Sequence, residues 1–169
     1  MEKTPSGAIP QAERSPISSA FTLIELLVVI SVIGILATVL LARFGTVEKS
    51  GRDTRRKSDL NQYRTALENY SIKTGGVYPS YTTAIDASGS LCTTLGTSYI
   101  ATCVQDPRQD GSTYYYRYLS NGSGSGTVDA TQYMLWAYVE TGGTTPYLYV
   151  CASGKIAQKA SAPVAADCW

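Results

Sequence analysis

The run Phe21–Ala42, FTLIELLVVISVIGILATVLLA, constrains this chain more than any other feature. At about 1.5 Å of rise per residue, a helix over it spans roughly 30 Å, the thickness of a bilayer's hydrocarbon core. It carries a single carboxylate, Glu25, and no other charged side chain. A carboxylate in such a segment is costly at the bilayer centre and less so near an end. The helix is therefore built to meet something besides lipid. The run is too long for a secretory signal core and no small-residue cleavage site follows it, so taken alone it reads as a signal anchor.

The flanks extend this reading. Residues 1–20 are rich in Pro, Ser and Ala, with Lys3 and Arg14 opposed by Glu2 and Glu13 and no helical period, and read as a flexible leader. Beyond Arg43 the chain turns polar without a helix stop. Leu60, Tyr63, Leu67 and Tyr70, with Ala66 beside them, recur at steps of three and four and make one apolar face. Lys73-Thr74-Gly75-Gly76 reads as a helix end, basic in its last turn with glycine beyond. The pattern predicts one helix over Phe21–Thr74, a membrane half at 21–43 and an amphipathic half at 44–74. Gly34, Gly45 and Gly51 weaken it by about 1 kcal/mol each relative to alanine, either as bending points or as places of close packing.

Residues 75–169 read as a β-rich globular domain. Tyr81–Gln105 is a mixed loop. Thr113–Leu119, Gln132–Glu140 and Pro146–Cys151 have the β-branched and aromatic content of strands. Asn121–Gly126 and Thr141–Thr145 are turns between them. Three successive strands predict an antiparallel meander, one face of which the Leu60–Tyr70 stripe would cover. The expected fold class is α+β, a long N-terminal helix packed on a small antiparallel sheet.

Chemistry is argued against. The chain has no histidine, which removes the commonest general base and metal ligand together with every Ser-His-Asp or Cys-His arrangement. No GxSxG turn occurs, so no enzyme, cofactor or metal is expected. Asp106 and Asp110 in DPRQDG, with Asp129 and Glu140 elsewhere, offer oxygens to a cation such as calcium, but no EF-hand spacing is present and a solvated turn is the preferred reading. Arg52, Arg55, Arg56 and Lys57 could attract headgroups or phosphates. The preferred reading is a solvated helix face partly paired with Asp53 and Asp59. With a net charge of +1, no nucleic-acid partner is expected.

Cys92, Cys103, Cys151 and Cys168 all follow the apolar run. An even count in a region open to export points to disulfides, with three connectivities open. Nearest-neighbour pairing, Cys92 with Cys103 and Cys151 with Cys168, is preferred because each bond closes a short loop in a domain with little core. Orientation stays open on these grounds. Arg43 to Asp59 holds six basic and three acidic residues, which favours the cytoplasm, whereas paired cysteines favour the outside.

FTLIELLVVISVIGILA, taken whole, closely resembles the amino-terminal class III signal of type IV pilins and of the pseudopilins of type II secretion. The resemblance implies a cut by prepilin peptidase between Ala20 and Phe21, N-methylation of the new amino terminus at Phe21, and a role for Glu25 in neutralising a neighbouring subunit's amino terminus and setting assembly register. A buried carboxylate is tolerable where a cation meets it in a dry interface. Beyond the motif, Arg43–Tyr70 resembles the amphipathic half of the family's long helix. Tyr78-Pro79, Asp106-Pro107 before Tyr114–Tyr118, and YMLWAYVE are similar, less specifically, to the β domain of the major pseudopilin. The family has glycine before the cut where this chain has Ala20, its leaders are shorter and more basic, and its calcium loop is not recognisable here.

The resemblance implies a pilin-like filament subunit. It would be held in the cytoplasmic membrane by one span with its C-terminal domain outside, then assembled with copies of itself and other pilins into a cell-surface filament. Its implied partners are the peptidase, an assembly ATPase with its membrane platform, and the membrane. The alternative is a monomeric membrane-anchored adhesin or binding domain with an uncleaved signal anchor.

Overall fold

A computed structural model describes residues 21–124 and 126–169, without the side chains of residues 42 and 43. The leader at 1–20, Ala20 included, lies outside the described residues, as does Ser125 within the predicted Asn121–Gly126 turn. The chain divides into two compact units between Ala42 and Arg43. Helix α1, Leu23–Thr74, is the one element present in both.

In the first unit, Thr22 caps α1 and the apolar side chains from Phe21 to Leu41 stand exposed. In the second unit the helix runs on to Thr74 and stops by a glycine cap. Gly75 and Gly76 adopt φ of 79° and 91°, and the Gly76 N–H returns to the Ser71 carbonyl at 2.8 Å. Leu60, Tyr63, Ala66, Leu67 and Tyr70 are buried, so the predicted stripe is the face that the sheet covers.

The strands are β1 (Tyr78–Pro79), β2 (Ile85–Asp86), β3 (Arg117–Ser120), β4 (Val128–Ala130), β5 (Tyr133–Tyr138), β6 (Tyr147–Cys151) and β7 (Ile156–Lys159). β1 pairs with β4, and the larger sheet runs β2-β3-β5-β6-β7, antiparallel throughout. The predicted meander is β3-β5-β6. Alternation along it is clean. Tyr133, Leu135, Ala137, Leu148 and Val150 join the core under the helix, whereas Met134, Trp136, Tyr149 and Cys151 form a second cluster on the other face together with Cys168. The disulfide Cys151–Cys168 ties the following segment onto that second face, and Cys92–Cys103 closes the loop that begins in the short helix α2, Cys92–Leu95.

Two expectations need correction. The predicted strand Thr113–Leu119 begins only at Arg117. Asp110 Oδ1 accepts the N–H groups of Ser112, Thr113 and Tyr114 at 3.0, 2.8 and 2.7 Å, which withdraws those donors from any ladder. The loop Tyr81–Gln105 also holds more regular structure than expected, β2 followed by a continuous helical turn through Ala87–Leu91 into α2. The edge strand β7 was not anticipated either, because IAQK is short and half polar.

The core is built on tyrosine. Tyr63, Tyr116, Tyr118 and Tyr133 have no exposed surface, and each hydroxyl donates to an acceptor: the Val104 carbonyl at 2.7 Å, Asp59 at 2.6 Å, the Pro79 carbonyl at 2.7 Å and Glu68 at 2.9 Å. Burial pushes all four phenols above their ordinary range. The chain's two phenylalanines, Phe21 and Phe44, are both exposed on the helix, 85% and 59% respectively.

Candidate functional site

Two groups of residues stand out. The first is the start of α1. Thr22 and Glu25 form a reciprocal cap. The Glu25 carboxylate Oε2 accepts the Thr22 N–H at 2.9 Å and the Thr22 hydroxyl at 2.7 Å, while the Glu25 N–H donates to Thr22 Oγ1 at 3.3 Å. This fixes the carboxylate at the first turn of the helix, next to Phe21. Along the rest of the segment the polar side chains turn inward. Ser31 donates to the Leu27 carbonyl at 2.7 Å, and Thr38 to that of Ile35 at 2.8 Å. The lateral surface is thus mostly hydrocarbon, its two hydroxyls at Ser31 and Thr38 bonded back to the helix, with the one charge at its beginning. The helix is long and apolar enough to cross a membrane.

The second group is an ionic cluster at Arg56. This side chain has no exposed surface. Its Nε and Nη2 donate to Asp106 Oδ2 and Oδ1 at 2.6 and 2.8 Å, and its Nη1 reaches Asp53 at 2.7 Å and Glu140 at 2.9 Å. Arg52 adds a two-pronged contact to Glu140, both arms at 2.7 Å. Asp53 in turn accepts the N–H groups of Glu140 and Thr141 at 2.8 and 2.7 Å and the Thr141 hydroxyl at 2.6 Å. The Arg108 guanidinium lies 4.0 Å from the Tyr114 ring centroid. Three stretches far apart in sequence, 52–56, 106–108 and 140–141, therefore close on one point.

The electrostatics follow. Hydrogen bonds from Arg52, then from Arg56, outweigh burial and hold the Glu140 carboxyl down at about 2. Asp53 is also lowered, since the donors of Thr141 and the Glu140 backbone overcome its burial. Burial opposes the charge on Arg56, but Asp106, Glu140 and Asp53 together raise its pKa above the ordinary arginine value.

This corrects two preferred readings of the sequence. Arg56 is not on a solvated face, although its expected partner Asp53 is engaged and Arg55 does approach Asp59 at 3.7 Å. DPRQDG is a solvated turn only in part: Asp106 is 3% exposed, whereas Arg108, Asp110 and Gly111 face solvent. Asp106 and Asp110 are engaged by separate partners. The first is committed to Arg56 and the Arg108 N–H, the second to three backbone donors. Asp129 instead accepts from the Ser123 N–H in its own turn. A signal for Arg56 was present in the sequence. It stands four residues before Leu60, in register with the buried stripe, and charge alone argued it outward.

Glu25 and Phe21 are brought together by the structure. The four cysteines form the two nearest-neighbour disulfides.

Residues 17–41 match the family model of the prokaryotic N-terminal methylation motif. No curated protein matched in a search, nor did any solved structure. The match covers the class III signal that type IV pilins and pseudopilins carry, which implies processing by a prepilin peptidase and assembly with pilins in general. With the apolar helix, it fits an anchor in the inner membrane.

Proposed function

We propose that this chain is a prepilin, the structural subunit of a type IV pilus or a type II secretion-like filament. It is cut between Ala20 and Phe21, N-methylated at Phe21, and assembled through the first half of α1. The observation that carries this reading is the surface of residues 21–41, mostly hydrocarbon and uncovered, with one carboxylate fixed at its first turn beside the future amino terminus. In a bilayer such a helix is merely tolerated. Packed against copies of itself, it buries the same surface and gives Glu25 a cation, the amino group of a neighbouring Phe21.

In this reading the β-rich unit lies outside the cytoplasmic membrane, where its disulfides persist. The subunit binds no cofactor and catalyses no reaction. Its assembly draws on an ATPase with a membrane platform.

Glu25→Ala tests the proposal. Mass spectrometry of the variant should still find a methylated Phe21 at the amino terminus, while the yield of filaments falls to background. Normal filaments from the variant would refute the role of Glu25. An intact leader on the wild-type protein would refute the prepilin reading and favour a tethered binding domain.

A further inference from the structure

Within the second unit, α1 leaves one edge of the larger sheet uncovered. Between the helix and strands β6 and β7 runs a groove of about 720 Å³. Its floor is Leu60, Leu148 and Val150, and its outer wall is Ile156, which is 60% exposed. Register explains the overhang. Val150 pairs with Ile156 and Leu148 with Gln158, so these β7 side chains share the helix-facing side of the sheet, and Ile156 stays 60% exposed there. Lys57 stands on the rim, and among the described residues it makes no ion pair.

The same unit carries the complement. One helical turn, Phe44 to Glu48, places Phe44 and Val47 three residues apart on one face, 59% and 65% exposed, with Glu48 beside them. Phe44 is the one phenylalanine of this unit, and it is spent on the surface while tyrosine fills the core. Glu48 is 74% exposed. Its contact to Arg52 is long, 3.7 Å, because Arg52 is already engaged with Glu140 at 2.7 Å. One face thus offers an apolar knob with a spare acid, and another an apolar groove with a spare base. Such a pair is not self-complementary within one two-fold contact. It is a head-to-tail contact, the kind that propagates into an open helical array.

We propose that the groove receives the Phe44–Glu48 turn of a second copy of this chain, with Phe44 and Val47 against the exposed Ile156 and the edges of Leu148 and Val150, and Glu48 paired to Lys57. This rests on the filament reading above and specifies a contact in that filament. Glu48 and Lys57 are nine residues apart. At about 1.5 Å per residue, this pair sets an axial stagger of about 14 Å between the touching helices.

The test uses the full-length chain in cells that assemble it. A photo-crosslinking phenylalanine analogue at position 47 should, on irradiation of intact filaments, join two copies, with the adduct mapped by mass spectrometry to the peptide holding Ile156–Gln158. Separately, Glu48→Lys and Lys57→Glu should each lower filament yield about fivefold, the upper range for an exposed pair, and the double exchange should restore it. Both residues are exposed, so neither change threatens the fold. Filaments that form normally, crosslink elsewhere and show no rescue by the double exchange would overturn this contact while leaving the filament reading intact. Failure of the wild-type chain to form any filament would overturn both.

Discussion

Replacing Arg56 with methionine keeps most of the side-chain volume but leaves Asp53, Asp106 and Glu140 with one guanidinium fewer. Asp106 then has no counter-charge within reach, at a site where its side chain is fully buried. Removing one partner of a buried ion pair costs about 3–5 kcal/mol, mostly the burden of the stranded charge. The unit Arg43–Trp169 has about 127 residues and hence an unfolding entropy near 0.27 kcal/mol per degree, so a loss of about 4 kcal/mol lowers Tm by about 15 °C. Circular dichroism melts of the full chain in detergent read this directly. The pH dependence is the sharper assay. In the wild type, Asp53 and Glu140 have depressed pKa values, Glu140 at about 2, so their contribution is complete above the ordinary carboxylate range and is lost as pH falls from about 4 toward 2. In Arg56→Met the carboxylates of Asp53 and Glu140 lose one of the guanidinium donors that hold their pKa values down, so the loss of stability between about pH 4 and 2 should be shallower than in the wild type. Adding Asp106→Asn should recover much of the loss at pH 7. A loss under about 1.5 kcal/mol, or acid curves that run parallel in variant and wild type, would refute the reasoning.

Gly142→Ala should damage the same cluster from the other side. An added Cβ would lie 2.8 Å from the Pro146 Cα, the Thr145 carbonyl oxygen and Val139 Cγ2, so the β5–β6 loop that presents Glu140 and Thr141 must shift, at a cost of about 1–3 kcal/mol. Melts that match the wild type would show the loop to be adaptable. Absorbance titration at alkaline pH should show Tyr63, Tyr116, Tyr118 and Tyr133 silent at pH 11. Their pKa values are raised in the folded state, so their contribution is present below the ordinary tyrosine value and is lost as pH climbs through the folded ones. Ionisation of all thirteen tyrosines with a midpoint near 10 in the folded protein would contradict this.

Periodicity made the helix, its buried stripe and its glycine stop legible, because each depends on neighbours within a turn or two. The α+β class and the β3-β5-β6 meander were legible for the same reason, as alternation and turn residues are local. Glu25 was conspicuous through context, one charge in hydrocarbon. What stayed hidden was set by partners far away. Asp106 lies 50 residues from Arg56 and Glu140 lies 84, and nothing in the local pattern distinguishes an arginine that meets water from one that meets three carboxylates. The positive flank Arg43–Asp59 was overstated for the same reason, since Arg52 and Arg56 are matched by acids from other stretches of the chain. Asp110 misled in the opposite direction. TYYYRYL has the composition of a strand, and a single carboxylate oxygen takes the N–H groups of its first two residues and of Ser112 before it.

The position of the ionic cluster has a physical logic of its own. An apolar stripe by itself fixes which face of a helix is buried but only weakly fixes how far along its axis the helix sits. Leu60, Tyr63, Leu67 and Tyr70 recur every turn, and a slide of one turn, about 5.4 Å, exchanges one apolar contact for another. Arg56 removes that freedom. The same slide would set Leu60 against Asp106 and strand three buried carboxylates, a cost of several kcal/mol that no apolar exchange offsets. The register matters because the helix carries, twelve residues before Arg56, the first of the exposed side chains Phe44, Val47 and Glu48. Within the second unit, the distance between those residues and the groove at Leu60, Leu148 and Ile156 is defined only if β6 and β7 hold the helix at one axial position. In the filament proposed above, a repeated contact would multiply any error in that position, and a polar lock beside a repetitive apolar stripe is the arrangement such a subunit would need.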